Sequence, residues 1–419
     1  MVREQIDALR AGMRRRGVLD TLSPTIERAV DLDRTRRETI QAVEERKAAR
    51  NTVSQQVGQR KRAGESADDL QIQSRALGDE IARLDGELAA TQAELSAILL
   101  ELPNITLEDV PAGGEENNAV IRTWGVPREG AKLQPHWDVG TRFGLIDFER
   151  GAKISGSGFI VFRDKGATLV RALMNLMLDT HTRQHGYQET WVPVVVNRAS
   201  MTGTAQLPKF EEDMYGLRDE DLFLIPTAEV PLTNLFRDDV IPEAELPKAV
   251  TAYSSCFRRE AGAAGKDTRG LLRVHEFDKI ELVRLTTPEN SAADLELLTS
   301  HAEKILQLLE LPYRVVRLAS GDTGFASAHT YDLETFAPGV GKWLEVSSCS
   351  NFTDFQARRA NIRYKPADGG KPRFVHTLNG SGLAFPRIIA SILEHHQQED
   401  GSVLIPTALR TYLGVERLS

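Results

Sequence analysis

The sequence predicts an α+β protein in two parts, an N-terminal antiparallel helical coiled-coil arm and a domain built on an antiparallel sheet. Three observations carry this reading. Leu77, Ile81, Leu84, Leu88, Thr91, Leu95, Ile98 and Leu102 step by four and three in strict alternation, the 3.5-residue period of a coiled-coil seam. From about residue 119 strands and helices intermix without a strand–helix rhythm, which favours an antiparallel sheet over a parallel, doubly wound one. Within that region, Thr251 to Leu282 reads as two charge-laden strands, 251–259 and 272–282, joined by a loop rich in Gly and Ala.

In chain order, residues 1–104 form the first domain. A short amphipathic helix with Ile6, Leu9 and Met13 on one side ends at the breaker Gly17. The segment from about Pro24 to Lys61 is helical in composition, but its seam is poorer: Leu32, Val43, Val53 and Val57 keep the spacing while Arg36, Thr39, Arg46 and Arg50 fill the intervening steps. Arg60, Lys61 and Arg62 lead into a polar turn centred on Gly64, so two antiparallel helices of about 50 to 60 Å follow at 1.5 Å per residue. Oligomerisation is the commonest use of such a rod, and a basic first helix and tip also suit RNA contact. Residues 105–118, ending Pro111 to Asn118, read as an exposed linker, and 119–419 as the second domain. There, 166–184 predicts a long helix and 190–196 a strand that contains Pro193, placing it at an edge, bulge or interface.

Composition bounds the function. Of 419 residues, 41% are hydrophobic and 27% charged, a globular balance. No run reaches the roughly 18 apolar residues of a membrane span, and the N-terminal residues lack the apolar core of a secretory signal. Two cysteines, Cys256 and Cys349, form no Cys-x-x-Cys pair, which argues for a reducing cytoplasm and against a disulfide framework. The net charge of −8 hides an asymmetry: residues 1–62 hold fifteen Lys or Arg against nine Asp or Glu, so a +6 segment precedes a −14 remainder. A basic segment of this kind points to a polyanionic partner.

Side chains alternate across a pleat, so Arg258 and Glu260 share one face of the first strand of the hairpin, and Arg273, His275, Phe277, Lys279 and Glu281 one face of the second. Such a face is poor core. Guanidinium, ring and carboxylate together suit a flat, anionic, amine-bearing ligand, and ATP beside an amino acid fits. The segment Gly262 to Thr268 imitates a phosphate-binding P-loop, but Glu260 and Asp267 stand where that motif requires Gly and Ser or Thr, and its flanks are strands.

The wording from Phe257 to Glu281 resembles motif 2 of the class II aminoacyl-tRNA synthetases, and within them the seryl family. The helix at 166–184 and the strand after it resemble motif 1, Met201 to Phe210, Leu224 to Pro231 and Glu345 to Asn351 match further family stretches, and His376 to Glu394 resembles motif 3. This resemblance implies a class II synthetase catalytic domain on an antiparallel sheet, a homodimer, and ligation of L-serine to tRNA(Ser), and leaves open whether tRNA(Sec) is charged too. It implies that Arg258 and Arg387 are catalytic, and that Thr227, Ala228, Glu229, Arg258, Glu281, Asn379 and Ser381 bind serine, with Thr227 and Glu229 on the ammonium and Glu281 on the hydroxyl. ATP would meet Arg258, Arg259, Glu260, Val274, Phe277, Glu345, Val346, Ser347, Ser348 and Arg387. Glu345 and Ser348 would ligate Mg²⁺, and Arg60, Lys61 and Arg62 would touch tRNA.

The chain departs from the family pattern in two places. Phe385 and Pro386 precede Arg387 where many members carry a small residue and glycine, and Arg259 stands where a serine is frequent. Two rival readings remain. Synthetase-like ligases that load an amino acid onto a carrier protein lack the long arm, so the seam counts against them. A catalytically silent RNA-binding scaffold has no need of the intact set Arg258, Glu260, Phe277, Glu281, Glu345 and Arg387.

Overall fold

A computed structural model describes residues 5–261 and 269–419. The glycine-rich segment 262–268, which imitates a phosphate loop, lies outside the described residues. Two compact units result, Met1–Pro103 and Asn104–Ser419.

The first unit is helical: α1 (Ile6–Arg15), α2 (Leu19–Arg62) and α3 (Asp68–Leu100). All eight positions of the predicted seam are buried or half-buried. The poorer seam of α2 is supported by charge: Arg28 pairs with Glu94 at 2.7 Å, Arg46 with Glu80 at 2.9 Å and Arg60 with Asp69 at 2.9 Å. Numbers rise on one helix as they fall on the other, which is the antiparallel register. Each pair is exposed enough to contribute at most about 1 kcal/mol, so the pairs fix register more than stability. Helix α2 starts at Leu19, five residues before the expected Pro24, and runs through that proline. Pro24 stands past the first turn, so its missing N–H leaves the Asp20 carbonyl without its usual helical donor. Between α2 and α3, Gly64 has φ +76°, a conformation open to glycine at little cost.

The second unit is organised on one sheet of β1 (Ala119–Trp124), β2 (Gln188–Glu189), β3 (Lys248–Phe257), β4 (Glu276–Thr286), β5 (Tyr313–Arg317), β6 (His329–Ala337), β7 (Lys342–Asn351) and β8 (His376–Ala384). Their spatial order is β1-β5-β6-β7-β8-β4-β3-β2. All pairings are antiparallel except β2 on β3. Four helices matter for the site: α4 (His136–Arg142), α5 (Lys165–Arg183), α6 (Ser291–Leu308) and α7 (Phe385–His395). Leu173 and Met177 of α5, Leu298 and Ile305 of α6, and Ile388 and Ile392 of α7 join Ile280, Leu282 and Leu378 of the sheet in one apolar core. β4 is covered on both faces, and residues 279–286 are all buried.

Two expected strands differ. The second hairpin strand begins at Glu276, not Leu272, because its partner leaves the ladder at Phe257 and Glu260 turns into the left-handed region at φ +51°. A non-glycine residue held there costs about 1–2 kcal/mol. The strand expected over 190–196 forms only at its end: residues 190–194 lie outside any strand, and Val195–Asn197 pairs with Leu222–Leu224 in a separate ribbon, while the main sheet takes Gln188–Glu189, just before the break. Pro193 falls in the break, where no ladder bond asks for its missing N–H. Residues 104–118 run hydrogen-bonded along the second unit: the Asn104 amide donates to the carbonyls of Ala326 and Phe352 at 2.9 and 2.8 Å, and the Ser320 N–H to that of Pro111 at 2.8 Å.

Candidate active site

The charged face of β3 and β4 opens onto a cavity of about 630 Å³. Because Ser381 lies directly opposite Glu281, and Ser350 opposite Asn379, the ladder collects polar side chains from three strands on one floor. Of the expected residues, Thr227, Glu229, Arg258, Glu260, Glu281, Glu345, Ser348, Asn379 and Ser381 line this cavity.

Its inner end is acidic and buried. Glu281, 1% exposed, accepts a hydrogen bond from the Thr227 hydroxyl at 2.9 Å and pairs with Lys279, itself 5% exposed. Removing either partner of such a buried pair leaves an uncompensated charge, at about 3–5 kcal/mol. The second oxygen of Glu281, Oε1, is buried with no partner. A buried carboxylate oxygen without a donor is a costly arrangement unless a ligand supplies one. Glu229 stands nearby and accepts from the Gln356 amide at 2.6 Å. Burial, with the Glu281 carboxylate next, pushes the Glu229 carboxyl up to about 7. The Thr227 hydroxyl donates to Glu281 while accepting from Lys279 at 2.8 Å and from the Glu229 N–H at 3.2 Å. It is saturated, so an incoming cation falls to Glu229.

The outer end is basic. A smaller recess of about 120 Å³ adjoins the cavity, lined by Arg258, Glu260, Val274, Phe277, Val346 and Arg387 among others. The Arg258 guanidinium lies 5.1 Å from the centre of the Phe277 ring, Arg273 pairs with Glu260, and Arg387 donates to the carbonyls of Glu345 at 2.7 Å and Leu272 at 3.2 Å. An acidic pocket beside a basic, aromatic recess suits a ligand pair of an amine and a polyanion carrying a flat ring. Glu345 and Ser348 offer hard oxygens, and the Asp332 carboxylate, which stands opposite Ser348 in the ladder, has a buried Oδ1 without a partner. Burial and the adjacent Glu345 push Asp332 well above the usual carboxylate range. These are hard oxygen donors of the kind divalent cations take, and among the described residues no three His, Cys, Asp or Glu side chains converge as a ready-made metal cluster.

Three expected residues line neither cavity. Ala228 is core, Arg259 is exposed with its N–H on the Asp213 carbonyl, and the Ser347 hydroxyl is spent on the Ser381 carbonyl at 2.7 Å. Arg60, Lys61 and Arg62 belong to the other unit, at the end of α2. Sequence reasoning gave no role to Lys279, although alternation set it between Phe277 and Glu281. Gln356 was missed entirely, and no local pattern marks it: it reaches Glu229 from a short helix 127 residues away.

Residues 1–106 match the seryl-tRNA synthetase N-terminal domain, and residues 209–396 the class II core domain of the G, H, P, S and T tRNA synthetases. The serine–tRNA ligase of Gemmatimonas aurantiaca is 65% identical over 415 residues, 99% of this chain and 98% of that protein. That of Carboxydothermus hydrogenoformans is 52% identical over 389 residues, 92% of each. The crystal structure of seryl-tRNA synthetase from Pyrococcus horikoshii, complexed with ATP, superposes with a TM-score of 0.94 at 37% identity, covering 100% of this chain and 98% of that one.

Proposed function

The chain belongs to the seryl-tRNA synthetase family of class II enzymes, and from that premise we propose that its larger cavity binds serine and its smaller recess the base of ATP. The reaction is ligation of L-serine to tRNA in two steps. The serine carboxylate attacks the α-phosphorus of ATP and pyrophosphate leaves; then the 3′ end of the tRNA takes the seryl group from the adenylate and AMP leaves. The carboxylate is already a nucleophile and needs no base, so the work at phosphorus is positioning and charge stabilisation. In this reading Arg258 spans the serine carboxylate and the α-phosphate, Phe277 stacks on adenine, and Arg387 stands over the base or the γ-phosphate. Glu229 takes the ammonium, and Glu281 accepts the serine hydroxyl. The observation that carries the assignment is the unpartnered, buried Oε1 of Glu281 in the larger cavity.

Amino-acid-dependent ATP–pyrophosphate exchange over the twenty amino acids tests it, with serine the expected substrate; exchange driven by another amino acid ends the reading. Arg258→Lys keeps a cation but loses the planar fork, and exchange falls by about 10² or more, the scale of one preorganised donor. A rate within a few-fold of the parent assigns Arg258 another task. The carrier-protein and scaffold readings are not favoured, since the whole chain aligns with serine–tRNA ligases, arm included.

Glu229 gives the reaction a pH signature. With its carboxyl near 7, acidification through that value protonates it and removes the partner of the ammonium. Serine kcat/KM therefore falls below about pH 7, whereas kcat, where bound ammonium keeps Glu229 ionised, holds to lower pH. Glu229→Gln lowers kcat/KM and removes the inflection. The same elevation acts on stability: the contribution of the protonated form is complete below the ordinary carboxylate value of about 4.3 and is lost as pH rises through about 7. An inflection that survives in Glu229→Gln belongs to another group.

Further assignments rest on the same premise. Glu345 and Ser348 would hold Mg²⁺, which when bound draws charge from the phosphates. The chain forms a homodimer, in keeping with Trp191, 79% exposed in the motif 1 segment, and sedimentation measures that. Arg60, Lys61 and Arg62 contact tRNA phosphates, and paired transcripts decide whether tRNA(Sec) is charged as well as tRNA(Ser). Two buried, unpaired cysteines suit a cytoplasmic setting, and no helix among the described residues is long and apolar enough to cross a membrane.

A further inference from the structure

Between residue 269 and Glu276, where β4 begins, the backbone of the hairpin stem lies outside the ladder. Leu271, Leu272, Arg273 and Val274 nevertheless form one wall of the smaller recess. Backbone N–H and C=O groups buried without ladder partners must find others. The Leu271 N–H donates to His136 Nε2 at 2.9 Å, and the Leu272 carbonyl accepts from Arg387 at 3.2 Å. We propose that His136 is a positioning residue for the ATP site, holding the stem at Leu271 so that Arg273 and Val274 face the nucleotide. This rests on the reading of the smaller recess as the nucleotide site.

The geometry is specific. Nε2 accepts a backbone N–H, so the ring proton sits on Nδ1, which meets Glu394 Oε1 at 2.6 Å. Glu394, two turns after Arg387 in α7, also receives the N–H groups of His136 at 2.9 Å, Gly339 at 2.8 Å and Val340 at 3.1 Å. Both side chains are fully buried. Four donors compensate the carboxylate, which in turn fixes the imidazole tautomer, an arrangement known from histidines oriented by acids. Gly270 permits the approach: it sits at φ +69°, and a Cβ there would stand 2.4 Å from His136 Nε2. The helix that carries Arg387 thus anchors, through Glu394 and His136, the same wall whose Leu272 carbonyl that arginine holds. Packing alone does not account for the arrangement, because an apolar side chain in place of His136 would leave the Leu271 N–H without an acceptor and Glu394 without the ring N–H.

Two substitutions in the full-length protein separate the ring's two contacts. In His136→Asn the amide nitrogen can replace Nδ1 toward Glu394, but nothing reaches Leu271; in His136→Gln the amide oxygen replaces Nε2 toward Leu271. H136N is expected to raise the ATP KM in pyrophosphate exchange by about tenfold, the equivalent of one 1.4 kcal/mol bond, with serine KM unchanged, and H136Q to return it toward the parent. Equal behaviour of the two variants, or an unchanged ATP KM in H136N, overturns the proposal. Hydrogen exchange on the parent protein tests it independently of how the variants fold: the Leu271 amide should exchange as slowly as amides of β4, and exchange at exposed-loop rates overturns it. Phe277→Ala keeps the two readings distinguishable. An ATP KM indifferent to F277A removes the nucleotide site itself, whereas an ATP KM raised by F277A but not by H136N removes only the role of His136.

Discussion

Replacing Glu281 by Gln lowers serine-dependent pyrophosphate exchange by at least about 10², while the feeble exchange with alanine falls far less. The reason lies in the two oxygens of this carboxylate. One is occupied by Thr227 and Lys279; the other, Oε1, is buried without a donor. Serine supplies that donor through its hydroxyl and alanine cannot, and a site built around a substrate hydroxyl rejects the analogue lacking it by about 10⁴ or more. An amide in place of the carboxylate weakens the bond and leaves Lys279 without its anion, so the pocket deforms as well. The ratio of serine to alanine kcat/KM should therefore shrink by about 10². Melting is lowered too, since breaking a buried pair costs about 3–5 kcal/mol, and kinetics are to be compared at a temperature where circular dichroism finds both proteins folded. Threonine is a separate case, refused by the volume around its extra methyl, and its exclusion should survive the substitution. A serine-to-alanine ratio equal to the parent's would move selectivity away from Glu281.

How far the sequence reveals this site depends on the range of each interaction. The seam from Leu77 to Leu102 is legible because a period repeats one local signal eight times, and Glu281 and Phe277 are legible because strand alternation puts them on one face. The start of β4 is not: apolar Leu272 and Val274 extend the alternation past the point where the partner strand has turned away at Glu260, and only the partner ends the ladder. Alternation likewise marked the Lys279–Glu281 face as poor core, yet the structure buries both charges, because the pairing of opposite signs and a hydroxyl from Thr227 is invisible at the level of a single strand. Contacts between distant segments leave no trace in any window. Gln356 on Glu229 and Glu394 on His136 join residues 127 and 258 positions apart, and neither glutamate interrupts a pattern in a way that announces burial. The strand around Pro193 was half legible: the proline pointed to an edge, bulge or interface, but not to residues 190–194 leaving the ladder or to Val195–Asn197 joining a separate ribbon.

Shortening the helical hairpin should abolish transfer to tRNA while leaving serine-dependent exchange within a few-fold of the parent. The arm and the activating site belong to different compact units, and every residue assigned above to serine or ATP lies in the second. The excision has to respect the packing of the first unit. Ala29, Leu32 and Leu95, with Ile98, form an apolar layer, reinforced by the Arg28–Glu94 pair, and Leu9, Met13 and Ile26 are fully buried. Cutting as far back as Ser23 would strip that layer and expose α1. Replacing residues 37–90 with a short Gly/Ser turn keeps it, because Arg36 and Thr91 each stand four residues beyond Leu32 and Leu95, which pack together in that layer, and so lie level across the hairpin. Loss of both activities in a protein that circular dichroism finds folded would mean that the arm contributes to activation itself. Changing only Arg60, Lys61 and Arg62 to Ala asks the finer question. Every phosphate that the tip no longer neutralises should reduce the dependence of log K on log salt by about 0.7–0.9, and an unchanged slope would mean that the tip touches no phosphate. One of the three is partly committed already, since Arg60 pairs with Asp69 across the turn at 2.9 Å. Lys61 and Arg62 should therefore account for most of the change in slope, and single substitutions read by filter binding across a salt series resolve their shares.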